Sequence, residues 1–268
     1  MCPELFHIGD FAVRAYGLAL ALSFLIGLWL IDREARLLGL NPDAIVNLGF
    51  VLIIFGVIGG RLGFVLYHWS DFADNPLDII NPFQAGQFGI SGLNLQGGLI
   101  GGFVAGLFYL RWKKLPWVAA LDAVAPAVGF GIFVSRIGCF LNGCCFGTPT
   151  DGPFGVHFPD HSAPHAVFGD RAVHPTQLYS SAYGLLLFLF LLWINRRRYR
   201  VGRATGLFFV AESAARLAIE PLRYYEDAMW ITLAGLDITY NVIAAVIMFV
   251  IGLFFLVRRW PESAGKTA

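Results

Sequence analysis

Gly129-Phe130-Gly131-Ile132-Phe133-Val134-Ser135-Arg136-Ile137-Gly138-Cys139-Phe140-Leu141-Asn142-Gly143-Cys144-Cys145-Phe146-Gly147 sets an arginine, an amide and three thiols at the end of an apolar run. With the residues before it, Val118 to Ile137 approaches the ~20 apolar residues that cross a bilayer as a helix. A charge at that depth is costly, so Arg136 either has a partner or anionic ligand or snorkels to the interface from the helix end. The polar residues crowded beside it favour the ligand.

Outward from this stretch the chain repeats the pattern. It is 57% hydrophobic and 14% charged, against a globular norm of about 25% charged, and its mean hydropathy is +0.66. Further apolar runs lie near Phe11 to Ile31, Ile45 to Tyr67, Gln96 to Leu110, Leu178 to Ile194, Gly206 to Ile219 and Tyr240 to Val257. Together they predict an all-α integral membrane protein of about seven transmembrane helices, one polytopic domain over 1–268, with no cleavable signal peptide. Basic residues gather in alternate loops: Arg33 and Arg36; Arg111, Lys113 and Lys114; Arg196 to Arg203; Arg258, Arg259 and Lys266. That bias predicts an N-terminus outside and a C-terminus in the cytoplasm. The long connections His68 to Leu95, Gly138 to Gln177 and Glu220 to Thr239 then fall outside, and the functional loop is expected around 138–177. A net charge of +1 gives no basic field for nucleic acid.

Several constellations sit at the outer ends of these runs. Glu212, Arg216 and Glu220 recur every four residues, so they share a helix face as a neutralised ladder or as half of a site. If Arg136 and Arg216 converge, their planar forks suit a phosphate. Gln96 lies just above a stripe of small residues at four-residue spacing, Gly98, Gly102 and Gly106, that reads first as close helix packing. Arg61, in Gly59-Gly60-Arg61-Leu62-Gly63, reads equally as a snorkelling or a ligand-binding residue. Cys139, Cys144 and Cys145, with His157, His161, His165 and His174 in the same loop, match no familiar zinc spacing, and no metal is expected. Small buried packing residues, a nucleophile or a disulfide remain open for the cysteines. No cofactor motif is present.

The chain resembles the bacterial prolipoprotein diacylglyceryl transferases. The resemblance runs through Tyr16-Gly17, Gly59 to Gly63, Gln96 to Gly101, Ser135 to Gly143, His174-Pro175-Thr176-Gln177-Leu178-Tyr179, Gly206-Leu207-Phe208 and Arg216 to Glu220 with Arg223. It implies a seven-span enzyme of the bacterial inner membrane, its site toward the outer side. Such an enzyme moves the diacylglyceryl group of phosphatidylglycerol to the thiol of a lipobox cysteine in an exported prolipoprotein and releases glycerol phosphate. By position, Arg136 and Arg216 would act on the phosphate as catalytic residues. Tyr16, Arg61, Gln96, Gly97, Gly98, Cys139, Asn142, Gly147, His174, Glu220 and Arg223 would bind substrate.

The sequence departs from the family pattern where that pattern has His for Gln96, Asn for Cys139, Glu for Cys144, Glu for Ser180 and Tyr for Glu212. A carboxamide takes no proton at neutral pH, so the family's histidine base is absent. Two other readings therefore stand beside the first. One is a related phospholipid diacylglyceryl or head-group transferase with another acceptor, thiol or otherwise. The other is a lipid-binding or transport protein that only keeps the fold.

Overall fold

The computed structural model describes residues 4–8, 11–72, 79, 83–84, 87–88, 94–197, 200–225, 230–233 and 236–261. Its long helices are α1 (Ala15–Leu37), α2 (Pro42–Tyr67), α4 (Leu95–Trp112), α5 (Trp117–Asn142), α7 (Thr176–Arg196), α8 (Arg203–Ile219) and α9 (Tyr240–Val257). Two short ones, α3 (Trp69–Phe72) and α6 (Ala163–Phe168), lie in the connections. All seven apolar runs fall on helices. Five of these, α1, α2, α5, α7 and α9, are long and apolar enough to cross a membrane. Their outer faces carry large apolar side chains in the open, among them Leu25 of α1, Leu66 of α2, Leu186 of α7 and Val257 of α9, a burden that water penalises and lipid does not.

The all-α expectation needs one correction. Among the described residues are three two-stranded antiparallel hairpins: β1 (Glu4–Ile8) with β2 (Phe11–Arg14) ahead of α1, β3 (Phe83–Gln84) with β4 (Gln87–Phe88) ahead of α4, and β5 (Trp230–Leu233) with β6 (Leu236–Thr239) ahead of α9. Trp230-Ile231-Thr232-Leu233 and Leu236-Asp237-Ile238-Thr239 are rich in β-branched residues across a short turn, which suits a hairpin. At the other end, β2 takes the residues expected to open the first helix, and α1 begins at Ala15.

α5 is the hub. It packs most extensively on α1 and α7 and also meets α8. Its small residues Ala120, Ala123 and Ala127 form one core with Leu30 and Ala35 of α1, Ile45 and Leu48 of α2, and Tyr109 and Leu110 of α4. Ala125 joins Leu187, Leu191 and Ile194 of α7 and Ala204 of α8 in a second core. In the second turn of α5 the buried Asp122 carboxylate reaches the start of α8. It accepts from Gly202 N–H at 2.6 Å, Thr205 N–H at 2.8 Å and the Thr205 hydroxyl at 2.6 Å. A carboxylate from another helix thus caps α8, whose own N-cap, Gly202, has no side chain to offer. Asn195 donates to Glu34 at 2.8 Å and to the Asp122 carbonyl at 3.0 Å, closing the network.

α4 packs chiefly on α2, backbone against backbone. A Cβ on Gly97 would run into the carbonyl of Gly59, and one on Gly59 into the carbonyl of Gly97. The close packing expected of small residues is present, but its tightest backbone contacts are made by Gly97 and Gly101, one residue off the Gly98, Gly102 and Gly106 stripe, which meets α2 less closely at Gly98 and Gly102.

Candidate active site

Where α5 and α8 end, three arginines converge. Arg136 lies in the last two turns of α5, Arg216 in the last turn of α8, and Arg223 just past the 3-10 turn Glu220–Leu222. Arg216 and Arg136 both lie near enough for their charges to act on Arg223. Burial first, and then the charge of Arg216, push the Arg223 guanidinium below its ordinary value. Like charges gathered in a half-buried site repel, and an anion between them removes that cost.

The protein's own carboxylates neutralise this cluster only in part. Arg216 Nε is 3.7 Å from Glu220 Oε2. Glu220 is 8% exposed and accepts from the Tyr225 hydroxyl at 2.8 Å and from the Thr239 hydroxyl. Burial pushes the Tyr225 phenol up to about 12, so it remains a donor. These contacts tie Glu220 to Arg216, Tyr225 and Thr239 at once. Arg223 Nε is buried with no hydrogen-bond partner among the described residues, and its guanidinium lies over the Tyr225 ring, 5.1 Å from the centroid. Arg136 makes no hydrogen bond or ion pair among the described residues, although Tyr183 and Glu212 lie within electrostatic reach. Tyr183 lies beside Glu212, whose Oε2 is buried without a hydrogen-bond partner among the described residues. An unpaired buried donor is costly, and ligand oxygens are the usual remedy.

The stretch after Arg136 wraps this cluster. α5 ends at Gly143 in the left-handed region at φ 77°, and Cys145 takes the same region at φ 59° without being glycine. The fully buried Thr176 and Gln177 hold the turn, donating to the Cys145 and Cys144 carbonyls at 2.8 Å each. The sulfurs of Cys139, Cys144 and Cys145 come within 4.8 Å of one another. Hydrogen bonds with the other two thiols, then the charges of Arg136 and Arg223, hold the Cys145 thiol below its ordinary value. Further along, Gly147 pairs across from Arg223, its N–H donating to the His174 carbonyl at 3.0 Å. A Cβ on Gly147 would lie 2.7 Å from both the Cβ and the carbonyl oxygen of His174, so only glycine lets these strands close. Phe146, Phe158 and Val173 form a small core beneath.

Of the residues singled out in the sequence, the fold gathers Arg136, Arg216, Arg223, Cys139, Gly147 and Glu220. Tyr16 of α1 packs on Gly138 and lies within electrostatic reach of Arg136 and the three thiols. Asn142 is exposed and lies close to the Cys144 thiol. His174 is half-buried, its Nδ1 3.3 Å from the Tyr179 hydroxyl. Arg61 is 6% exposed, donates to the Ile79 carbonyl at 2.9 Å and sits over Phe64 and Phe72. Gly97 and Gly98 face α2. Gln96 is exposed at the start of α4, and no described contact joins it to the arginines. Sequence reading missed Tyr183 and Tyr225. Tyr183 is four residues after Tyr179 on α7, a spacing that hinted at a shared face, whereas Tyr225 carries no local signal.

Known proteins share this architecture's sequence. The family model described as "Prolipoprotein diacylglyceryl transferase" matches residues 3–258. A Clostridium tetani protein named phosphatidylglycerol–prolipoprotein diacylglyceryl transferase is 35% identical over 83% of this chain and 86% of its own. Proteins of the same name from Synechococcus elongatus and Shewanella oneidensis are 33% and 34% identical, covering 95% and 94% of this chain and 87% and 89% of theirs. With the family matched from one end of the described helices to the other, this helical membrane protein belongs to the prolipoprotein diacylglyceryl transferase family.

Proposed function

We propose that this protein transfers the diacylglyceryl group of phosphatidylglycerol to the thiol of a lipobox cysteine in an exported prolipoprotein. The names of its relatives support that reading. The observation that carries it in the molecule is the convergence of Arg136, Arg216 and Arg223, with a buried Arg223 Nε that lacks a partner.

The thiolate sulfur attacks the glycerol carbon bonded to the phosphate oxygen. The C–S bond forms as the C–O bond breaks, the electron pair leaves on the phosphate oxygen as glycerol phosphate, and the thiol proton passes to solvent or a nearby base. Negative charge on the leaving phosphate grows along this path. Preorganised guanidinium groups facing it lower the barrier by several kcal/mol. Arg136 and Arg216 are the catalytic pair, with Arg223 a third donor. Tyr16, Asn142 and Gly147 line the lipid and acceptor path, and Gln96 orients a head group or ester.

In this reading the chain is a single polytopic domain of the bacterial inner membrane. It has seven spans, its N-terminus and its 138–177 loop on the outer side, and its C-terminus in the cytoplasm. The donor lipid and the exported acceptor then meet the arginines from the same leaflet.

Purified protein incubated with head-group-labelled phosphatidylglycerol and a lipobox peptide tests the reading. The peptide gains the mass of a diacylglyceryl group as label is released as glycerol phosphate. Release without peptide modification favours a different acceptor, the reading that Gln96, Cys139 and Cys144 support by departing from the family pattern. If neither product forms, the transfer reading fails.

A further inference from the structure

We propose that Cys139, Cys144 and Cys145 form a trithiolate site for a soft monovalent cation, copper(I), beside the arginine cluster. The three sulfurs lie within 4.8 Å of one another. Metal–thiolate bonds of about 2.3 Å bring three sulfurs to within about 4 Å of each other. Small side-chain rotations therefore complete the site.

The backbone is already arranged for it. The Cys144 N–H donates to the Cys139 carbonyl at 3.1 Å, folding the turn back over the end of α5. Cys145 holds a left-handed conformation that non-glycine residues rarely adopt, a departure expected where function over-determines the backbone. Thr176 and Gln177 clamp the two carbonyls from α7, an outer layer of the kind that orients metal ligands.

The donor set selects the ion. Among the described residues the group contains three cysteines and no histidine or carboxylate, so it lacks the fourth protein ligand of a structural zinc site. Thiolates alone select soft ions. Three thiolates around a monovalent cation leave two negative charges in excess, matched by Arg136 and Arg223, whose charges act on Cys145. Those guanidinium groups are the ones assigned above to phosphate, so copper loading withdraws them from the lipid. That last consequence rests on the transfer reading, whereas metal binding does not.

The full-length protein, purified in detergent and reduced, is titrated with copper(I) against bicinchoninate, and X-ray absorption counts the sulfur neighbours. One copper per chain with three sulfur neighbours is expected. Affinity should fall at least tenfold in Cys139→Ser, Cys144→Ser and Cys145→Ser, while Cys2→Ser binds as the native protein does. Binding below one equivalent, a shell of nitrogen or oxygen, or native affinity in Cys145→Ser overturns the site. Should a serine variant fail to fold, the native stoichiometry and sulfur count decide alone. Loss of transfer activity on loading, in a preparation whose copper content is measured, tests the competition with phosphate separately.

Discussion

Replacing Arg136 with lysine keeps the charge but exchanges a planar fork for a single point donor. Arg136 has no protein partner among the described residues that the change would orphan, so Arg136→Lys should insert and fold. Its lipid-dependent turnover should fall by about 100-fold, the scale for losing one preorganised donor, as measured by glycerol phosphate release. Near-native turnover would return Arg136 to a structural role. Gln96 is expected to matter less. With no described contact to the arginines, Gln96→Ala should slow turnover by less than about tenfold, one ordinary hydrogen bond, and Gln96→His should be tolerated. The acceptor's thiolate fraction grows with pH, so the rate should climb through about pH 8.5, the ordinary cysteine value, in native, Gln96→His and His174→Gln proteins alike. An inflection at lower pH that disappears only in His174→Gln would make His174 the base. Sequence exposed the arginines because a charge within an apolar run is conspicuous. The tyrosines that surround them were hidden, since Tyr183 and Tyr225 are ordinary amphipathic residues until the fold brings Glu212 and Glu220 to their hydroxyls.

Helix α8 carries Arg216 at one end and depends on Asp122 of α5 at the other. Asp122→Ala leaves the Gly202 and Thr205 N–H groups and the Thr205 hydroxyl without their buried acceptor. The expected loss is about 3 kcal/mol of stability, seen as a lowered unfolding midpoint in mild detergent. Asp122→Asn, which keeps one acceptor oxygen, should lose less. Equal stability in all three proteins would remove the cap from the account. Hydropathy revealed the helices because each long apolar run has few other ways to satisfy its backbone in lipid. It could not reveal this cap, because the partners are separated by about 80 residues of sequence, nor the hairpins, whose strands of two to five residues are too short for a periodic signal.

At the scale of the whole molecule, the proposed seven-span arrangement with its N-terminus outside makes a simple demand. Reporter fusions after Arg200 and after Pro164 should give cytoplasmic and external signals respectively; the reverse would move the arginine cluster to the wrong leaflet for an exported acceptor. The charge bias of the loops is the sequence feature on which the proposed orientation rests. The two least apolar helices, α4 and α8, gave weaker signals because glycine in one and charge in the other dilute their hydropathy. The seam between α2 and α4 also constrains how this sequence can drift. Most packed pairs can trade volume, one residue growing as its neighbour shrinks. Gly59 and Gly97 have no volume to trade, since each already opposes the other's backbone with nothing larger than hydrogen. No compensating partner exists for a change at either position. In a saturation library scored for growth, these two columns should empty even where paired substitutions are allowed, while the exposed faces of the same helices stay permissive.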